Sequence, residues 1–268
     1  MPEPLDIACF PFPLTGDVRA NAAAIREAID AASKAQARIL VTPECALTGY
    51  PIHDRMDMDE LDLEAVASLE DELAECASMR GMVLVLGTVS AYQGGLSNDA
   101  LLCGAISRET RYRKRLLFPM EEDHFLPGSQ PVTFDIDGWR IAVTICYEVR
   151  ASAIWCDLMS RGVDAIVHLA HMAGHDPDHP TKQRLLPELY AARAAEMVAP
   201  LILCNCADRD RWIDSAVWDA RGILQNMQGQ GMFTTKVQHR SALDSWYTQN
   251  YQRLMGSLRL MDSCGEEV

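Results

Sequence analysis

The chain has 268 residues, 49% of them hydrophobic and 23% charged, the balance of an ordinary globular protein and not of a disordered or fibrous one. Thirty-eight acidic residues against 24 basic ones leave a formal charge of −14, which argues against general affinity for nucleic acid or for anionic membranes. There is no apolar run of about 18 residues. The acidic start, Met1-Pro-Glu-Pro-Leu-Asp6, lacks a leader of basic then apolar residues, and the nine scattered cysteines suit a reduced interior, so a cytoplasmic protein is expected.

The first strand candidate is Leu5–Phe10. Val18–Gln36, rich in alanine with apolar residues near helical spacing, predicts a helix, and Arg38–Thr42 is a short apolar strand that stops at Pro43. Asp62–Met79 predicts a second helix with Gly81 placed to end it. Met82–Val89 is a strongly apolar strand, followed by a turn at Gly94-Gly95. Asp99–Ile106 and Thr110–Arg113 form a hairpin around Arg108-Glu109. Val132–Ile136 and Trp139–Ile145 flank Asp137-Gly138, a strong two-residue hairpin signal. The second half continues with a helix at Ala153–Ser160, a strand at Ala165–Ala170, a long helix at Lys182–Met197 and a strand at Leu201–Cys204. Ala216–Trp218 and Ile223–Gln225 bracket a further hairpin, Phe233–Val237 is the last strand, and Ala242–Leu254 is a helix candidate. Hairpins inserted among helices favour a layered α/β protein with mixed sheets over a barrel of repeated βα units. Nothing divides the chain, so one domain is expected over 1–268, with a short C-terminal extension from about 238 and a mobile acidic end from Asp262.

Three strand ends deliver reactive groups. Ile39-Leu-Val-Thr-Pro-Glu44 runs into a carboxylate, Tyr112-Arg-Lys114-Arg leaves a strand with cations, and Ile141-Ala-Val-Thr-Ile-Cys146 leaves the most apolar strand with a thiol. Groups just beyond strand ends are held by rigid elements yet reach ligands. A thiol needs a base or a cation to become a nucleophile. A carboxylate can take its proton and pass it to a leaving amine, and an ammonium can stabilise an oxyanion. Taken singly, each has a plainer role: Glu44 as a cap or ion-pair partner, Lys114 as part of a solvated cluster with Arg111, Arg113 and Arg115, and Cys146 as a core thiol.

Together the segments resemble the signature blocks of the nitrilase superfamily, the carbon–nitrogen hydrolases. Pro43-Glu44 with Leu47-Thr-Gly-Tyr50 resembles that family's glutamate block, Tyr112-Arg-Lys114-Arg-Leu-Leu-Phe118 its lysine block, and Ile145-Cys146-Tyr147-Glu148-Val-Arg150 its nucleophile block. Asn98, Phe125-Leu-Pro127-Gly128, Ala192-Arg193-Ala194-Ala195-Glu196 and Ser215-Ala-Val-Trp-Asp-Ala-Arg-Gly222 resemble further family positions, and the likeness runs from about Leu5 to about Val237. The resemblance implies a four-layer αββα sandwich, pairing through helical layers into a homodimer or a larger homo-oligomer, and no cofactor or metal. It implies a cysteine thioester mechanism with Cys146 as nucleophile, Glu44 as general base and acid, Lys114 at the oxyanion, and Glu121 orienting Lys114 and substrate. Tyr50, Tyr147, His171 and Met172 are the expected substrate contacts. The substrate class implied is a small linear amide or N-carbamoyl compound, with nitrile hydrolysis as the alternative and a non-catalytic metabolite-binding relative as a further one. The sequence departs from the family at Glu148, where aspartate is usual, at Ala151-Ser-Ala153 after Arg150, and at Met197.

Four of the seven histidines lie in His168-Leu-Ala-His171-Met-Ala-Gly-His175-Asp-Pro-Asp-His179. Such spacing is compatible with a metal, but Gly174 and Pro177 break a common helical face, and His171 and Met172 are expected to face substrate. Cys204-Asn-Cys206 is expected to be core, with both thiols on one strand face. Trp212, Trp218 and Trp246 are candidates for a subunit contact.

Overall fold

The computed structural model describes residues 2–50, 60–106, 108–175 and 178–264. Its helices are α1 (Val18–Lys34), α2 (Leu63–Met79), α3 (Ser152–Ser160), α4 (His179–Met197) and α5 (Ser245–Cys264). The strands are β1 (Leu5–Cys9), β2 (Ile39–Val41), β3 (Val83–Tyr92), β4 (Gly95–Gly104), β5 (Thr110–Arg113), β6 (Thr133–Ile136), β7 (Trp139–Ile145), β8 (Ala165–Ala170), β9 (Leu201–Asn205), β10 (Ser215–Trp218), β11 (Leu224–Gln228) and β12 (Phe233–Val237).

Two six-stranded sheets result, ordered β12-β1-β2-β3-β4-β5 and β11-β10-β9-β8-β7-β6. Both are mixed: β1, β2 and β3 run parallel in the first, and β7, β8 and β9 in the second, with hairpin partners antiparallel at the flanks. Period-two alternation along the strands builds three apolar layers. Ile7, Ile39, Val41 and Val85 meet Ile141, Val143, Val167 and Leu169 between the sheets. Ala8, Leu40 and Leu84 turn the other way, onto Ile25 and Ile29 of α1 and Leu69 and Leu73 of α2. Ala142, Ile166 and Leu203 turn onto Trp155 and Leu158 of α3 and Leu186 and Tyr190 of α4. The protein is therefore an αββα sandwich, as the resemblance implied and as the layered α/β reading of the sequence allowed.

Local signals held where the chemistry was local. Asp137 and Gly138 have φ of 49° and 83°, and Ile136 pairs with Trp139 across them, a two-residue turn with both central residues left-handed. The turn before β4 differs by one residue from the prediction: it is Gln93-Gly94, and β4 starts at Gly95 rather than Asp99. The last helix begins and ends later than Ala242–Leu254, because Arg240–Ala242 is a short 3-10 turn and Tyr251, Met255 and Leu258 supply the stripe that packs on the α3–α4 layer. The end predicted to be mobile starts inside this helix, and its residues beyond Cys264 lie outside the described residues. Trp218 is core and not contact surface, at 3% exposure; Trp212 is partly buried, and only Trp246 is prominent, at 63%. Cys204 and Cys206 do not share a face: β9 ends at Asn205, so Cys204 enters the layer between the sheets and Cys206 the layer under α1 and α2.

Candidate active site

Glu44, Lys114 and Cys146 follow the C-terminal ends of β2, β5 and β7, and the two sheets bring those ends together. Lys114 is fully buried rather than solvated with its arginine neighbours. Tyr112, two residues earlier, points into the layer between the sheets, and Lys114 continues that face. Its Nζ donates to Glu44 Oε1 at 2.7 Å and to Glu121 Oε1 at 2.8 Å, and both carboxylates are closed to solvent. Asn98 Nδ2 bridges the same carboxylates at 2.7 and 3.0 Å. Tyr50 donates its hydroxyl to Glu121 Oε1 at 3.1 Å, the Phe118 N–H donates to Glu121 Oε2 at 2.6 Å, and the His171 N–H donates to Glu44 Oε2 at 2.8 Å.

Burial opposes ionisation of each of these groups, and their mutual attraction decides the outcome. For Glu44 the Lys114 charge and hydrogen bonds from Lys114 and Asn98 outweigh burial and hold the carboxyl below its ordinary value. For Lys114 burial is outweighed by the two carboxylates, which keep it firmly an ammonium. Glu121 goes the other way: burial and the Glu44 charge raise it despite Lys114. Burial and the adjacent Glu44 push the Cys146 thiol well above its usual range. The resting site therefore holds a thiol beside an ionised carboxylate, which is the arrangement for proton transfer during attack and not for a preformed thiolate.

Cys146 sits at φ 48°, in the left-handed region, and opens a 3-10 turn over Cys146–Arg150. A non-glycine residue there is strained, and the strain is held by its surroundings. Glu148 does much of the holding. Its buried carboxylate accepts from Ile145 N at 2.7 Å, Arg115 N at 2.6 Å and the Tyr112 hydroxyl at 2.7 Å, so one side chain ties the nucleophile turn to the lysine strand. Beneath it, the neutral imidazole of His168, pushed by burial to about 3, pairs with Thr144 at 2.8 Å. Two glycines let backbones close in. A Cβ on Gly87 of β3 would meet Pro43 O at 1.9 Å, and one on Gly128 would meet Arg113 O at 2.5 Å. The sequence pattern singled out Gly128 but not Gly87, and it named Glu148 and His168 without finding their supporting roles; a glycine inside the long apolar run of β3 was the available signal for a close backbone approach.

Cys146 opens into a cavity of about 410 Å³. Tyr50, Tyr147, His171 and Met172, the expected contacts, all line it, and so do Phe118, Arg150, Lys182 and Trp212. Tyr147 meets Phe118 edge-on at 5.4 Å, and Lys182 Nζ lies 3.6 Å from the Trp212 ring centroid. His171 is turned partly away from the cavity: its ring stacks on Tyr50 at 4.5 Å and its Nε2 is 3.0 Å from Asp208 Oδ2. Burial lowers and the Cys206 and Asp208 partners raise this imidazole, and the partners win, taking it to about 10. The histidine run does not assemble as one cluster: His168 lies below the nucleophile, His171 beside Tyr50, His175 on the cavity wall and His179 at the start of α4.

An αββα sandwich carrying a buried Glu–Lys–Cys constellation at its strand ends defines a class, and comparison agrees: the carbon–nitrogen hydrolase family model matches residues 7–239. The chain belongs to the carbon–nitrogen hydrolase family. It is similar to 2-oxoglutaramate amidase of Bacillus subtilis (strain 168), 29% identical over 176 residues covering 63% of this chain and 64% of that protein. It is also similar to the glutamine-dependent NAD(+) synthetase of Synechocystis sp., 28% identical over 81% of this chain and 41% of that protein. The matches thus span about two fifths to just under two thirds of these curated relatives. Among solved structures, a mutant of the amidase from Nesterenkonia sp. AN1, showing covalent addition of the acetamide moiety of fluoroacetamide at the active site cysteine, superposes with a TM-score of 0.74 at 22% identity, covering 92% of this chain and 97% of that one. No helix among the described residues is long and apolar enough to cross a membrane.

Proposed function

We propose that the protein hydrolyses the carbon–nitrogen bond of a small linear amide or N-carbamoyl compound through a thioester on Cys146. The observation that carries this is the buried Lys114, bonded to both Glu44 and Glu121 beside a thiol that opens into a cavity. Glu44 takes the Sγ proton as sulfur attacks the carbonyl carbon. The oxyanion forms against Lys114 and the backbone N–H groups that follow Cys146. Glu121 positions Lys114. Collapse breaks the C–N bond, the nitrogen leaves with the proton held by Glu44, and a thioester remains. Water, losing a proton to Glu44, attacks the thioester; the acid departs and Cys146 regains its thiol.

Amide is favoured over nitrile by the amidases among the relatives and structural neighbours; nitrile hydrolysis to the acid is the alternative with the same nucleophile. Tyr50, Tyr147, His171 and Met172 contact the bound molecule in this reading, and no nucleic acid or membrane takes part. The enzyme works in the cytoplasm as a homodimer or larger homo-oligomer, a state that light scattering after gel filtration measures. The test of function is release of ammonia or amine from a panel of amides, carbamoyl compounds and nitriles, repeated with Cys146→Ala. Turnover that survives Cys146→Ala refutes the mechanism, and an acyl adduct on Cys146 by intact mass supports it.

A further inference from the structure

The loops that follow β8 and β9 meet beside the base. Cys206 N–H donates to Ala170 O at 3.2 Å, Ala207 N–H to Phe12 O at 3.0 Å, and Met172 N–H to Asn205 Oδ1 at 2.7 Å, so the backbones are fixed against one another. On this frame stand an imidazole, a thiol and a carboxylate. The donor atoms of His171, Cys206 and Asp208 all lie within 4.8 Å of one another. His171 and Cys206 are closed off, whereas the Asp208 side chain is 14% exposed, which leaves an approach from solvent on its side.

We propose that His171, Cys206 and Asp208 form a binding site for a divalent cation of the zinc class, separate from the nucleophile, with water as fourth ligand. Mixed nitrogen, sulfur and oxygen donors suit zinc, whereas magnesium and calcium take oxygen sets. Zinc bonds of about 2.0–2.3 Å put tetrahedral donors about 3.3–3.7 Å apart. Donors within 4.8 Å of one another need to close by no more than about an ångström to reach that spacing. Thiolate and carboxylate together neutralise the dication. On binding, the Cys206 thiol proton and any second imidazole proton go to water, and no electron is transferred. The site is neither the histidine run nor the Cys204–Cys206 pair; it takes one residue from each and adds Asp208.

Its place gives it a consequence. The His171 N–H holds Glu44 Oε2 at 2.8 Å, and its ring stacks on Tyr50, whose hydroxyl holds Glu121. An ion that draws in the imidazole acts on both carboxylates and slows turnover. That consequence rests on the proposed hydrolase reaction; the binding does not.

The test is made in a Cys146→Ser protein stripped with a chelator, so that the nucleophile cannot be the ligand. Calorimetric titration with zinc should find one equivalent bound, and Cys206→Ser and Asp208→Asn should each weaken it at least about tenfold. Cobalt should give a thiolate-to-metal absorption band that Cys206→Ser removes. Absence of zinc binding in the Cys146→Ser protein, or a cobalt band that survives Cys206→Ser, overturns the proposal. Thermal melts report whether each variant is folded, and Asp208→Asn at the more exposed ligand decides the matter should Cys206→Ser not fold. No turnover enters these measurements, so their failure leaves the hydrolase reading standing, and failure of that reading leaves this site standing.

Discussion

Lys114→Met removes the cation that bridges two buried carboxylates, and its cost should depend on pH in a specific sense. In the native site Lys114 lies 2.7 Å from Glu44 and 2.8 Å from Glu121, with no side-chain exposure on any of the three. Breaking a buried ionic network by removing one partner costs about 3–5 kcal/mol, because the remaining charge is uncompensated. The variant escapes part of that cost by protonating a carboxylate. Glu44, which Lys114 holds below its ordinary value, then has the Asn98 and His171 contacts alone to set against burial and the repulsion of Glu121, and its folded value rises above the unfolded one. A carboxyl raised on folding contributes stability that is present at low pH and lost as pH rises through the folded value. The penalty relative to wild type should therefore grow by about 1.4 kcal/mol per pH unit above about pH 4.5, levelling where the carboxylate ionises in the folded state. Urea unfolding of both proteins, followed by tryptophan fluorescence at pH 5, 6, 7 and 8, measures this directly. A penalty that is equal at all four values, or larger at pH 5, refutes the electrostatic account. Adding Glu121→Gln to Lys114→Met should recover stability at pH 8.

Three further outcomes follow from the geometry. Gly87→Ala places a methyl group on the Pro43 carbonyl and pushes Glu44 off its partners; a loss of about 2 kcal/mol or more by urea unfolding, with activity falling further than stability, is expected, and an unchanged enzyme would show that this contact is not tight. His168 is held neutral with a value of about 3, against 6.5 when unfolded, so its contribution is full above pH 6.5 and is lost as pH falls toward 3; between pH 6.5 and 5 the wild type should lose about 2 kcal/mol that His168→Gln does not lose, and parallel pH profiles would contradict this. Arg150 and Lys182 bring positive charge to the cavity wall; Lys182→Ala and Arg150→Ala should raise KM for amides bearing a carboxylate severalfold more than for neutral amides of equal length, and equal effects on both would mean that neither cation meets the substrate.

Much of the site was legible because its chemistry is local. Glu44 and Cys146 each follow an apolar strand and Lys114 follows a strand of cations, whereas the inward burial of Lys114, on the same face as Tyr112, emerged only from the structure. Glu121 was found only through the family resemblance. What escaped was whatever depends on partners far along the chain. Glu148 looked like a departure from a family aspartate, yet its carboxylate gathers donors 32 to 36 residues away and ties two site segments together. Cys206 looked like the second thiol of one strand face; the strand ends one residue earlier, and the chain turns away.

The sequence by itself determined the elements, the left-handed Asp137-Gly138 turn and the order of the reactive residues, because these follow from φ/ψ preference and from the alternation of apolar side chains within a few residues. Tertiary structure alone decided their protonation and their neighbours. Lys114 meets a carboxylate 70 residues away, Glu44 receives an N–H from a residue 127 positions on, and the burial that sets every charge in the site exists only once both sheets have closed over it. The exchange of water for those distant partners makes Glu44 an anion and Cys146 a thiol, and no local pattern contains it.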